Sequence, residues 1–186
     1  MLPPDLPVPK DDGAAAHLQG TTVPSVAFPA TTGGSVDVAD AAQGTLVLFV
    51  YPRTGRPGIA PPPGWDATPG ARGCTPQACA FRDIHAELAA AGAFVCGLSA
   101  QAADEQHEAA ERLELPYPLL ADPGLRLAAA LGLPTFEFAG VRLYKRLTVV
   151  ARAGTIVKVF YPVFPPDENA SEVLDWLGTE QWPSGS

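Results

Sequence analysis

Charge is sparse in this chain. Asp, Glu, Lys and Arg make up 17% of 186 residues, the twelve basic ones are scattered, and the formal net charge is −8. Long-range attraction to nucleic acid or to an anionic membrane has no source in such a pattern. No nucleic-acid partner and no membrane partner is expected, and no apolar run is long enough to span a bilayer. Met1-Leu2-Pro3-Pro4-Asp5-Leu6-Pro7-Val8-Pro9 lacks a basic stretch followed by an apolar one, so no signal peptide is read there. Cysteine is scarce as well. Three of them, an odd number in a chain of this length, do not make a disulfide framework, and a reducing, cytosolic location is expected. No Cys-x-x-Cys pair or nearby histidine completes a four-ligand set, so neither a metal nor a cofactor is expected.

What is present is 47% hydrophobic residues, enough to bury a core in one domain over residues 1–186. Residues 1–34 are rich in Pro, Gly, Ala and Thr without periodicity, and 1–21 read as an extended arm lying on the domain. Ser35–Val38 alternates weakly, as a short strand does. Thr45–Tyr51 is a continuous apolar run between Gly44 and Pro52, the pattern of a central strand covered on both faces. Residues 53–73, with Pro57, Pro61, Pro62, Pro63 and Pro69, cannot be regular structure and form a long loop.

A helix is predicted from Thr75 as N-cap, with Pro76 at its first position, to Ala91 before Gly92. Phe81, Ile84, Leu88 and Ala91 make its inward stripe, and Cys79 is placed about 200° from Phe81, towards solvent. Further along, a buried strand is read at 93–99, a surface helix at 102–113, and a short strand at 119–120. A helix near 125–131, strands at 142–151 and 155–161 joined by a tight turn, and a closing helix at 169–177 complete the chain. Residues 178–186 are read as a tail. Strands alternating with helices, followed by a hairpin, argue for a layered α/β domain.

The most informative stretch is Gly73-Cys74-Thr75-Pro76-Gln77-Ala78-Cys79-Ala80-Phe81-Arg82-Asp83. A cysteine at a helix start faces unpaired backbone N–H groups and the positive end of the helix dipole. Both favour the thiolate, the reactive form of the side chain. Cys96, in an apolar strand, reads as core packing.

This stretch resembles the helix start of the peroxiredoxins, particularly the bacterioferritin-comigratory or Q group. The likeness continues in Phe49-Val50-Tyr51-Pro52, in Val95–Ser99, in Tyr117-Pro118-Leu119-Leu120-Ala121-Asp122 and in Lys145–Val150, so that it covers roughly residues 22–177. The resemblance implies a thioredoxin-like fold with a central mixed β-sheet flanked by helices. It also implies an enzyme that reduces hydrogen peroxide or organic hydroperoxides with electrons from thioredoxin or a similar dithiol protein. By the same likeness Cys74 is the peroxidatic cysteine, Cys79 the resolving one, Pro52 the neighbouring proline and Arg146 the thiolate-stabilising arginine. A monomer, or at most a weak dimer, is expected.

One departure stands out. The family pattern puts cysteine seven positions after the proline and a threonine three before it. Here Cys74 lies 22 positions after Pro52, and Ala71 occupies the threonine's place. Thr54, or alternatively Thr68, is expected to supply the missing hydroxyl, and the inserted loop is expected to cover or restrict the site. The departure also keeps open a redox sensor that turns over poorly. A general thiol–disulfide oxidoreductase fits less well, because the cysteines are five apart rather than three. In an ideal helix that spacing separates Cα atoms by about 8–9 Å, beyond the roughly 7 Å that a disulfide tolerates. If Cys74 is helical, the first turn must unwind for the pair to join; if the restriction on Thr75 before Pro76 keeps Cys74 out of the helix, less motion is needed.

Overall fold

The computed structural model describes residues 5–179, so the first four residues of the arm and residues 180–186 of the tail lie outside it. The arm leads into a small hairpin, β1 (Ala27–Pro29) with β2 (Ser35–Asp37), and a short helix α1 (Val38–Ala41). Then follow β3 (Thr45–Val50), the long loop, α2 (Cys74–Asp83), α3 (His85–Ala90), β4 (Ala93–Ser99), α4 (Ala103–Arg112), β5 (Leu119–Ala121) and α5 (Arg126–Leu131). The chain closes with β6 (Thr135–Phe138), β7 (Val141–Tyr144), β8 (Leu147–Arg152), β9 (Thr155–Phe160) and α6 (Asn169–Thr179). It forms a thioredoxin-like α/β fold around a mixed five-stranded sheet of order β5-β4-β3-β8-β9. β3 and β4 run parallel, as do β4 and β5, whereas β8 is antiparallel to both β3 and β9.

All six residues of β3 are buried, as its unbroken apolar run requires of a central strand. Alternate side chains go to opposite faces. Leu46, Leu48 and Val50 enter one core with Cys96, Leu98 and Leu147, while Val47, Phe49 and Tyr51 enter the other with Cys74, Phe81 and Leu88. The second core sets the height of α2 above the sheet. Phe49 stacks on Phe81 with ring centroids 4.5 Å apart, and the Tyr117 hydroxyl donates to the Ala78 carbonyl at 2.6 Å. Phe49 has room only because residue 97 is glycine. A Cβ there would lie 2.6 Å from the Phe49 ring and 2.7 Å from Leu119.

Several elements differ from the sequence expectation. The helix starts two residues early, with Gly73 as N-cap and Cys74 as its first residue, so Thr75 and Pro76 take the second and third positions. Gly73 adopts φ 105°, which glycine alone tolerates readily, and that turn delivers the loop directly onto Cys74. The helix also breaks at Ile84 (φ −115°, ψ 19°), which caps α2 and opens α3. Phe81 and Leu88 remain fully buried, Ile84 is half-buried, and Ala91 is exposed because the helix has already ended at Ala90.

The expected strand 142–151 is two strands. Its first part pairs with β6, which the sequence reading missed, in a separate hairpin. Lys145-Arg146 is the non-strand junction that carries the chain into the main sheet, with the Lys145 N–H bonded to the Pro134 carbonyl at 2.9 Å. An apolar run does not reveal that its hydrogen-bond partner changes halfway. At the C-terminus α6 continues through Gly178 and Thr179, two residues of the expected tail. The arm is bonded to the domain at Asp12. Asp12 accepts from Lys145 Nζ and from the Tyr161 hydroxyl, bonds that hold its carboxyl well below the usual range, Lys145 contributing most.

Replacing Gly97 by alanine should force Phe49 and Leu119 apart and lower stability by about 1–3 kcal/mol. The expected readout is a lower urea midpoint with an unchanged m-value; an unshifted midpoint would show that the rings have slack.

Candidate active site

The loop, α2 and the junction before β8 meet at Cys74. Cys74 is 4% exposed, and its sulfur lies 3.2 Å from Arg146 Nη2. The same Nη2 donates to the carbonyls of Gly70 (3.3 Å), Ala71 (3.3 Å) and Arg72 (3.1 Å), so one guanidinium holds the last turn of the loop and the sulfur together. Nη1 donates to Gln77 Oε1 at 2.5 Å, and Nε is buried without a partner. Gln77 in turn donates to Asn169 Oδ1 of α6 at 3.0 Å, which also accepts from the Thr148 hydroxyl of β8 at 2.6 Å. Arg146 is 3% exposed and, among the described residues, forms no ion pair with a carboxylate. Among the described residues, the sulfur is the only neighbour in this network that can carry negative charge.

The helix start adds to this. Gly73 offers no side chain to cap α2, and Pro76 contributes no N–H. The N–H groups of Cys74 and Thr75 therefore face the site without a side-chain cap. Tyr51, fully buried nearby, donates from its hydroxyl to Gln106 Oε1 at 2.6 Å. Burial above all, then the charge of Cys74, pushes its phenol pKa well up, so it remains a neutral donor.

A helix-start sulfur bound to a buried arginine is the arrangement that comparison with known proteins places in context. The chain matches the Redoxin family over residues 18–175. The chain belongs to that family. It is 29% identical over 174 residues to the chloroplastic peroxiredoxin Q of Sedum lineare, covering 94% of this chain and 85% of that one. It is 31% identical over 159 residues to the chloroplastic peroxiredoxin Q of Oryza sativa subsp. japonica, covering 86% and 66%. Among solved structures, the peroxidoxin BcpB of Mycobacterium tuberculosis superposes with a TM-score of 0.72 at 29% identity, covering 89% of this chain and all of that one. Within the redoxins the chain is thus a peroxiredoxin of the Q type, an oxidoreductase and a thiol peroxidase.

The structure brings Cys74 and Arg146 of this peroxiredoxin into contact. The other residues singled out in the sequence stand farther apart in role. Pro52 is buried just after β3 and does not line the cavity in front of Cys74. Thr54 does line that cavity and is 5% exposed, but its hydroxyl donates to Gln101 Oε1 at 3.1 Å rather than to the sulfur. Thr68 donates to the Gly64 carbonyl at 3.0 Å and lies outside the cavity. Neither threonine stands in for the absent hydroxyl. In its place the sulfur sits 3.7 Å from the Ala71 carbonyl, a long contact for a weak S–H donor.

Cys79 is half-buried rather than turned to solvent, because Tyr117 and the Leu113 end of α4 lie over that flank of α2. Cys96 is fully buried, and burial alone pushes its thiol pKa well up, which keeps it neutral. Trp65 packs on Phe138 and Phe136 of the β6–β7 hairpin and so anchors the loop, while also lining the cavity.

Gln77, Asn169 and Thr148 were missed by the sequence reading. The one available signal was Gln77, a polar residue one turn after Cys74 on a helix face that must be buried. Gln77→Leu removes the acceptor of Nη1 and should lower kcat/KM for hydrogen peroxide about tenfold, or ~1.4 kcal/mol. Gln77→Glu, which restores an acceptor, should retain most of the rate. Equal losses in both variants would show that Gln77 matters for packing and not for holding Arg146.

Proposed function

We propose that Cys74 attacks the peroxide and Cys79 resolves the product. The Cys74 thiolate displaces on the terminal peroxide oxygen. An S–O bond forms, the O–O bond breaks, and its electron pair leaves with the remaining oxygen, which takes a proton to become water or an alcohol. Cys74 is then a sulfenic acid. The Cys79 sulfur displaces its hydroxyl as water, giving an intramolecular disulfide. A dithiol protein of the thioredoxin type reduces that disulfide by exchange. A reducing, cytosolic setting suits the three free cysteines.

The observation that carries this reading is the buried guanidinium without a carboxylate. A cation removed from water needs a counter-charge or a full set of acceptors. Arg146 has four neutral acceptors, an unpartnered Nε and one sulfur. Of these neighbours the sulfur alone is a nucleophile, and the guanidinium is directed at it. The same guanidinium and the uncapped N–H groups of α2 are placed to take up charge on the departing oxygen, the kind of preorganised stabilisation that dominates such reactions.

Resolution demands motion. Cys74 is helical, so residues 74–79 must leave the helix before the sulfurs can meet. The start of α2 has no side-chain cap and a proline at its third position, so its opening breaks the Gln77 N–H to Gly73 carbonyl bond at 3.0 Å and the side-chain bonds of Gln77 to Arg146 and Asn169.

Mutation separates the two roles. Cys74→Ser should abolish peroxide consumption, and Cys79→Ser should leave a single turnover when thioredoxin is the reductant. Mass spectrometry after one equivalent of peroxide should find a Cys74–Cys79 bond, with faster hydrogen exchange over residues 74–79. No such bond would reject the two-cysteine cycle.

The Thr54 hydroxyl, committed to Gln101, favours one further reading: a sensor that oxidises once and recycles slowly. Sustained steady-state turnover with a thioredoxin system would exclude it.

A further inference from the structure

The cavity in front of Cys74 is far larger than hydrogen peroxide needs. It is an open cavity of about 430 Å³, within the range of small-molecule sites, whereas on the same measure one water needs about 10–15 Å³. Most of its wall is the 53–73 loop, the segment by which this chain departs from the family pattern. One part of the wall is apolar. Ile59 is 65% exposed, beside Trp65 and a run of prolines. The other part is basic. Arg53, Arg56, Arg72 and Arg112 line the cavity with a single acid, Glu105, so a third of the twelve basic residues of a chain of net charge −8 gather in one place.

These four arginines are not equivalent. Arg72 is paired with Asp66 at 3.0 Å, and Arg112 with Glu108 at 2.7 Å while also donating to the Gly55 carbonyl. Glu105 is occupied with the Ala102 N–H at 3.2 Å. Arg53 lies over the Trp65 ring at 5.9 Å, and Arg56 feels Glu108 only as a weak, longer-range attraction. Neither Arg53 nor Arg56 has an ion-pair partner among the described residues. Exposed arginines on a loop are ordinarily just solvated. Here two of them, without partners, share a cavity with an uncovered apolar wall and a reactive sulfur.

We propose that this cavity selects organic hydroperoxides that carry a carboxylate. Arg53 and Arg56 hold the carboxylate, Ile59, Trp65 and the prolines cover the apolar body, and the hydroperoxide end meets Cys74. The inference rests on the reading of Cys74 as the attacking sulfur. In the step itself the terminal oxygen passes to sulfur, sulfur is oxidised by two electrons, the O–O bond is reduced, and the hydroxy acid leaves after taking a proton from water.

The test uses the full-length protein with thioredoxin and thioredoxin reductase. Cumene hydroperoxide bearing a para-carboxylate is compared with its methyl ester, which keeps the body and removes the charge. Hydrogen peroxide is run beside them to normalise each variant. The wild type should show a kcat/KM for the acid about tenfold above that for the ester, or ~1.4 kcal/mol. The ratio should fall towards one at about 1 M salt, where charges are screened beyond roughly 3 Å. It should do the same in Arg53→Gln/Arg56→Gln, and Arg56→Glu should take it below one.

A wild-type ratio near one, with all three peroxides consumed, overturns the inference and leaves the peroxidase reading standing. A tenfold ratio unchanged in the double variant overturns the assignment to these arginines. No Cys74-dependent consumption of any peroxide overturns both, and hydrogen peroxide alone identifies that case. Circular dichroism of the variants confirms that they are folded, as exposed side chains predict.

Discussion

The Arg146 guanidinium is the contact on which the site depends. It is buried at the point where the chain leaves one hairpin for the main sheet, and it reaches three consecutive carbonyls of the loop, the α2 glutamine and the sulfur. Planar, multi-donor geometry lets arginine do this, whereas lysine would offer one point charge. The arrangement couples folding to chemistry. A chain that closes the 70–73 turn brings a cation against the sulfur, and the carbonyls of that turn in turn offset the cost of burying the cation.

Around this contact the molecule divides labour between a rigid floor and an appended wall. The floor is β3, β4 and β8 with α2 on top, its level fixed by Phe49 between Gly97 and Phe81 and its side by the Gln77–Asn169–Thr148 bonds. The wall is the proline-rich loop, pinned by Trp65 on the β6–β7 hairpin and by Arg72 to Asp66. Reactive groups on rigid elements with specificity on a loop is a common arrangement, because loops tolerate change that a core does not. The insertion lengthens the wall without disturbing the floor.

In the proposed cycle the helix start serves two opposed needs: intact, its first turn leaves N–H groups uncapped beside the sulfur, and for resolution the same turn opens. A glycine N-cap with φ 105° and a proline in the third position leave its backbone uncapped, so that its fastening comes from the Gln77 side chain to Arg146 and Asn169. The rest of α2 is fastened by Phe81 and by the Tyr117 hydroxyl. Local opening can then occur without loss of the core, as expected of segments that move in function.

The main elements were legible because their signals are local. The apolar run of β3 is long enough for one strand only. Gly73-Cys74-Thr75-Pro76 marks a helix start to within two residues, and a cysteine there meets the positive end of the helix dipole. Residues acting across the fold were less visible. Arg146 came from family likeness rather than pattern, Gln77 and Asn169 gave almost no signal, and Thr54 was expected at the sulfur but is bonded to Gln101. The split of 141–152 into two strands was hidden for the same reason, since hydrophobic periodicity carries no information about which strand is the partner. The sequence by itself therefore determined the sheet, the reactive cysteine and the long loop, each written in neighbouring residues. Only the tertiary structure decided which distant cation meets the sulfur, where the missing hydroxyl is not replaced, and that the loop's arginines face a cavity, because those depend on contacts between segments tens of residues apart.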